Sequence, residues 1–420
     1  MNTHKSSKRK ASNRKNFLRG NNSRARRQQI RANQARQQRL SRSLDEKSLV
    51  RISQSIFSGF LHHKQILSVA LVTLGIIHTA RITIHAIGAA MAKMRGRGSM
   101  KHGIKQVDRF MSNRKLCPVE MMHCLVKAIV GSRKSIDITM DWTDFDNDGQ
   151  TTLVLSLIMK HGRAIPIVWH TVRKDTLKSN QSRYERLTVE RLRHALPKNV
   201  HITIIADRGF GSTILFDHLL GLHGIDFIIR FRQNYYFESE IYSGQALDAV
   251  ASNGRIRVFH RARLTANKKG PYTLVLCKDA KMKEAWCIAT SLNTSTGKDI
   301  VKRYGRRFEC EESFRDLKDW RFGLGLKHTK IKNEKRRERL LFAFALAAFL
   351  LTIVGLESER QGFDRLLKAN TTAKRTHSLF RQGKEIVAGA LPENLKRQCL
   401  RAVMRQIAKA LKTSFYHVMA

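Results

Sequence analysis

The sharpest limit on the fold is a change of periodicity at Ser135. Before it, from Leu49 to about Ile129, apolar residues recur at helical spacing, as in Ile66–Leu74 and Ile76–Met91, with His78, Arg81 and His85 interspersed. After it come SIDITM, TTLVLSLIMK and AIPIVWHTV, three strand-like runs separated by the turn signals DNDG and HGR. These predict a three-stranded meander. A polar helical stretch (Ser182–Leu196) follows, then the apolar run HITIIA ending at Asp207, a helix over Thr213–Leu222, and the strand DFIIRFR.

The predicted order βββαβαβ is that of an RNase H-like domain, with one aspartate, Asp141, ending the first strand and another, Asp207, ending the fourth. The fold class expected is therefore α/β: an RNase H-like catalytic core with an inserted β-rich subdomain, flanked by helical N- and C-terminal regions. The insert spans 234–302 and holds the short pieces RIRVFH, YTLVLC and AWCIATSL. A single helix over Arg303–Asp319 is expected after it. The boundaries read from the sequence are a basic flexible arm at 1–48, a helical DNA-binding domain at 49–130, the catalytic domain at 131–356 and a helical C-terminal region at 357–420.

Charge narrows the partner. The chain has 79 Lys and Arg against 33 Asp and Glu, a formal net charge of +46, so a polyanion is expected: nucleic acid, an anionic membrane or an acidic protein. Residues 1–44 contain 14 of these cations and no acid. Such an arm cannot pack a core, and counterion release would make it a sequence-independent DNA binder. Two helices around the Gly-rich basic stretch Met94–Gly103 suggest a helix-turn-helix-like reader.

The apolar stretch Leu340–Leu356 sits at the lower edge of membrane-spanning length and reads as a buried core helix. No export signal is read in residues 1–44, and the six cysteines contain no C-x-x-C pair, so they read as thiols of a reducing compartment. The location expected is cytoplasmic. No P-loop, HExxH helix or GxSxG elbow is present, so nucleotide hydrolysis is not expected. DNDG begins like a calcium loop at Asp144, Asp146, Asp148 and Gly149, but its twelfth position is Leu155, which leaves a polar hairpin turn.

Phosphodiester cleavage by two metal ions needs carboxylates converging from separate elements, because hard divalent cations prefer oxygen ligands. Asp141 and Asp207 at neighbouring strand ends, with Glu311 from a packed helix, meet that need. Tyr304, Arg307, Glu311 and Lys318 follow the spacing Y-x2-R-x3-E-x6-K, which on one helix falls within an arc of about 60°. Beside the carboxylates, the cations suit phosphate.

With that string the sequence resembles the DDE transposases of bacterial insertion-sequence family four, and MKHGIKQVDRFMSN, MDWTD, ADRGFGS, AWCIATSL, YGRRFECEESFRDLK and FGLGLKH look like family blocks. The resemblance implies a cut-and-paste transposase with catalytic, metal-holding Asp141, Asp207 and Glu311. It implies two Mg²⁺ ions per site, replaceable by Mn²⁺. Double-stranded DNA would be the partner, as terminal inverted repeats and target, with a homodimer forming the synaptic complex. Tyr304, Arg307 and Lys318 would grip phosphates near the transposon end. Trp286 looks like the family's base-stacking aromatic residue, or is a core tryptophan of the insert. Cys310 stands where the family commonly has an aliphatic residue. A metal-dependent nuclease without strand transfer, or an idle DNA-binding relative, are the alternative readings.

Overall fold

In the computed structural model the sheet has ten strands, and its centre is as predicted. The structure describes residues 43–410, apart from residues 80, 97–98, 146–147, 252–253, 281, 294, 319–323, 326–328 and 330. The arm expected at 1–48 therefore lies almost wholly outside the described residues, as does most of the FGLGLKH block.

Five helices open the described chain: α1 (Glu46–Phe57), α2 (His63–Thr79), α3 (Ile84–Arg95), α4 (Met100–Ser112) and α5 (Pro118–Val130). The meander follows as β1 (Ser135–Thr143), β2 (Gln150–Ile158) and β3 (Ala164–Arg173). Next come α6 (Gln181–Ala195), β4 (His201–Ala206), α7 (Thr213–Leu220) and β5 (Ile225–Arg230). β1 pairs antiparallel with β2 and parallel with β4, and β4 parallel with β5, so the centre of the sheet runs β3-β2-β1-β4-β5. Every residue of β4 after His201 is buried, which explains its unbroken apolar run in place of alternation.

The insert departs from the expected separate subdomain. Its strands β6 (Tyr236–Ser239), β7 (Tyr242–Gln245), β8 (Arg257–Leu264), β9 (Lys269–Cys277) and β10 (Trp286–Thr290) continue the same sheet in the order β5-β10-β9-β8-β6-β7. The reason is the edge of β5. Phe227, Ile228 and Ile229 are fully buried, and an open edge beside them would leave ladder groups unpaired. β10 covers it antiparallel, pairing Ala289 with Ile229, and the Thr290 hydroxyl donates to the Phe227 carbonyl at 2.6 Å.

After the insert, one helix was expected, and there are two: α8 (Gly297–Gly305) and α9 (Phe308–Lys318). Gly305, a poor helix former, ends the first, and the joint closes with i→i+3 bonds from Arg307 N–H to the Tyr304 carbonyl and from Cys310 N–H to the Arg307 carbonyl. The four signature residues are thus shared between two helices and the joint.

α10 (Glu334–Arg360) carries the apolar stretch and is buried from Arg337 to Ser358 except at Ala348 and Thr352. It is long and apolar enough to cross a membrane, yet here it packs against α2, β3 and α11 (Leu379–Ala388), as a core helix does. α12 (Glu393–Ala410) closes the described chain.

The helical N-terminal region rests on α10 as well: Arg339 donates to the Met111 and Leu116 carbonyls at 3.0 and 2.9 Å, and Phe57 meets Phe342 edge-on. The described residues pack as one compact unit; the boundary read at 130 coincides with the end of α5, and the one read at 356 falls inside α10. Within this region α3 and α4 touch backbone to backbone. A Cβ on Gly88 would lie 2.4 Å from the Ile104 nitrogen, and one on Gly103 2.1 Å from the Gly88 carbonyl oxygen. Residues 97–98 of the expected basic turn lie outside the described residues.

Candidate active site

Strand register places the two aspartates. β1 and β4 pair in parallel from Ser135 with His201 to Met140 with Ala206, so the next residues, Asp141 and Asp207, stand side by side at the carboxyl end of that pairing; Asp207 follows the last residue of β4, whereas Asp141, expected to end its strand, lies inside β1 and still pairs with Val154 of β2. Asp207 then caps the turn Arg208–Phe210, its Oδ1 accepting from the Gly209 N–H at 2.8 Å.

Period two along β1 puts Asp137, Thr139 and Asp141 on one face, and α8 and α9 dock there. Arg303 donates to Asp137 at 2.5 Å and to the Thr203 hydroxyl at 2.9 Å, Arg306 to the Met159 carbonyl at 3.0 Å, and the Ser313 hydroxyl accepts from the Ala164 N–H at 2.9 Å. This docking sets Cys310 directly over Asp141, where its thiol donates to Oδ2 at 3.7 Å. Glu311 is the next residue.

The electrostatics follow from that crowding. Burial, then the neighbouring Asp207, push the Asp141 carboxyl up to about 6; Arg307 and the Cys310 thiol pull it back, and Glu311 adds a little more upward push. Burial raises the Cys310 thiol too, with Asp141 reinforcing it. Behind the pair, Glu185 of α6 is buried and accepts from Trp142 Nε1 at 3.1 Å and from Gln181 at 2.8 Å. Its carboxyl is raised by burial and, further down, by the Asp207 charge.

Glu311 faces Arg307. The guanidinium donates to Oε1 at 2.7 Å, with the Arg307 side chain 10% exposed and the Glu311 side chain 51%. Arg307 also lies over the Phe308 ring at 4.6 Å. Tyr304 is 2% exposed and packs edge-on against Trp286 at 4.8 Å, so it stands behind Arg307 and not on a surface that a phosphate could reach directly. Burial raises its hydroxyl.

Trp286 is half-buried, packed on the cluster of Ile158, Ile205, Ile228, Val275, Ile288, Ile300 and Tyr304, and tilted toward the exposed Phe308 ring at 6.2 Å. Lys318 ends α9 with its ammonium 5.8 Å from the Phe145 ring and 5.6 Å from Phe314. On the same helix, Glu312 and Asp316 are both reached by Arg163, and Arg315 also bonds Glu312.

Among the described residues no three His, Cys, Asp or Glu side chains stand close enough to hold a metal ion as they are. The donor set nonetheless fits a hard divalent cation: two adjacent carboxylates, one of them raised by burial and then by the other's charge, would be relieved by a cation between them. Glu311 would join them by exchanging Arg307 for the ion.

Of the residues singled out in the sequence, the structure brings Asp141, Asp207, Glu311, Arg307 and Tyr304 into one electrostatic group, with Trp286 touching it through Tyr304. Cys310, Glu185 and Phe308 went unrecognised. Cys310 was visible only as a departure from a family pattern, and Glu185 carried no motif beyond its spacing of four from Gln181.

Residues 170–350 match the family model described as the transposase DDE domain. The match runs from β3 into α10 and contains Asp207, Trp286 and the four signature residues; Asp141 lies ahead of it. No curated protein matches the chain.

Proposed function

We propose that the protein is an insertion-sequence transposase of family four that cuts DNA at transposon ends and joins the freed ends to target DNA. A single relationship carries the reading: two carboxylates stand in register at the carboxyl end of a parallel strand pairing, under a helix that offers a third, and Asp207 and Glu311 fall within the stretch that matches the transposase DDE domain. Asp141 and Asp207 would hold the divalent ions, Mg²⁺ or Mn²⁺, with Glu311 completing the set. When bound, such ions activate water and stabilise the leaving oxygen of an in-line displacement.

The protein's own groups do the rest. Arg307, released from Glu311, has a planar fork for a phosphate beside the cut, and Tyr304 fixes its angle from behind. Lys318 offers a second phosphate contact. Trp286 and Phe308 together present an aromatic face on which a base can stack if the end closes into a hairpin. The α3–α4 pair and the basic arm would hold duplex DNA away from the cut, and two copies would bring two ends together.

The test is direct. Purified protein and Mg²⁺ are given duplexes copied from the DNA flanking the coding sequence, together with a supercoiled target plasmid. Cleavage at a repeat boundary followed by joining to the plasmid supports the reading. Cutting without joining identifies a nuclease, and binding without either identifies an idle relative.

A further inference from the structure

The hairpin of β8 and β9 holds a strained residue for which the catalytic reading has no use. Residues 249–278 contain seven Lys and Arg and no acid. Within β8 the pairing jumps from Phe259 with Leu274 to Ala262 with Tyr272, so His260 and Arg261 together oppose the single residue Thr273. This is a β-bulge. In a regular strand Arg261 would share the buried face of Phe259, two residues before it; the bulge hands that face to Ala262 and turns His260 and Arg261 outward together, both exposed.

The turn outward strains the backbone, for Arg261 has φ +53°, in the left-handed region. Thr265 and Lys268 share that region, but they sit in the turn joining the strands, where it is ordinary. In a bulge the relaxed occupant is glycine. Strain of this kind persists where the side chain has a task. Among the described residues no ion pair involves Arg261: Glu238 of the adjoining β6 pairs with Lys268 at 2.8 Å, and Asp217 of α7 with Lys269 at 3.4 Å. Arg263, exposed two residues on, adds a second guanidinium to the same outer face.

We propose that this bulge is a second, non-catalytic DNA contact, in which His260, Arg261 and Arg263 bind backbone phosphates of the duplex flanking the cut. The inference rests on the transposase reading for the identity of the polyanion. β8 lies four strands from β4, about 19 Å at the usual strand spacing, so a duplex laid across the strands would meet the patch roughly five or six base pairs from the carboxylates.

Full-length protein in EDTA, with duplex DNA extending well beyond the cut, separates the possibilities by the salt dependence of binding and by thermal melting. Arg261→Gly should lower the slope of log K against log salt by about 0.9, the loss of one phosphate contact, while the melting temperature holds or rises as strain is relieved. Arg261→Lys should keep the slope. Adding Arg263→Ala to the glycine variant should remove a further ~0.9. A glycine variant with an unchanged slope overturns the contact. So does one whose melting temperature and binding fall together without recovery in the lysine variant, since the arginine would then be structural. If the wild-type chain itself fails to bind duplex DNA, the transposase reading falls first.

Discussion

Arg307 and Glu311 hold each other across one helical turn, and the two ends of that bridge differ: the arginine is nearly buried and the glutamate half-exposed. The buried partner is the fixed one, because it is packed over Phe308 and beside Tyr304. Glu311 can therefore swing away at modest cost, while moving Arg307 would leave a charge in poorly solvated surroundings. On the proposed reading, turning Glu311 out of the bridge toward Asp141 and Asp207 would free the guanidinium for phosphate.

Replacing any carboxylate tests this arrangement. Asp141→Asn, Asp207→Asn and Glu311→Gln should each lower end cleavage by about 10³-fold or more and leave duplex binding close to wild type, since the basic surface is untouched. Asp144→Asn is the control, because Asp144 pairs only with the exposed Lys174 in the described structure and should keep its activity. A Glu311→Gln protein that cuts at the wild-type rate in Mg²⁺ would remove Glu311 from the site.

The Asp141 carboxyl also makes stability depend on pH. Its proton leaves the unfolded chain near 3.8 and the folded one near 6, because burial and Asp207 oppose its charge. Between those values the unfolded state ionises first, so stability falls as pH rises through the window and stays lower above it, by roughly 3 kcal/mol. Asp141→Asn should accordingly melt higher than wild type at pH 8 and equal to it below pH 4. Mg²⁺ should raise the wild-type melting temperature more than that of the variant. Melting curves that run parallel at both pH values would show that Asp141 is not held at a raised value.

What the sequence made legible is what repeats or alternates. The apolar run of β4 and the turn signals around β1–β3 fix the sheet centre, and through parallel register they fix Asp141 beside Asp207. The division of the final helix was hidden, because Gly305 is a single weak breaker within a strong apolar-polar pattern and the closing bonds depend on tertiary docking through Arg303 and Arg306. The insert looked separate because its strands are short, and only the buried edge of β5 shows why they must join it. Cys310 and Glu185 act across distances of 169 and 43 residues, to Asp141 and Trp142, and no local spacing announces such contacts.

The hairpin turn DNDG yields a prediction that its polar sequence conceals. Asp148 is bonded to Arg337, and both side chains are buried, at 8% and 2% exposure. Arg337 also donates to the Ile331 carbonyl at 3.0 Å, so the pair ties the β1–β2 turn to the start of α10. Asp148→Ala leaves a buried guanidinium without its carboxylate and should cost about 3–5 kcal/mol. Cleavage per folded molecule should hold, because neither residue faces the carboxylates. A chemical-denaturation midpoint within error of wild type would mean that the pair is solvated in solution.

The cations flanking Glu311 can be separated from mere structural pairing. The Lys318 ammonium lies over the rings of Phe145 and Phe314, beyond Glu311 on α9, and on the proposed reading a phosphate neighbouring the scissile one would reach it there. Lys318→Ala should thus reduce cleavage about 10-fold or more, with a change in stability of no more than about 1 kcal/mol, the scale of an exposed cation–π contact. Arg307→Lys should behave differently: the bridge to Glu311 survives as a single contact, the bidentate fork is lost, and cleavage recovers only part of what Arg307→Ala removes. Measured together, cleavage per folded molecule and melting temperature decide the matter. A Lys318→Ala protein that melts lower yet cuts normally would make this end of α9 part of the packing, and the phosphate grip would have to be sought in Arg307 alone.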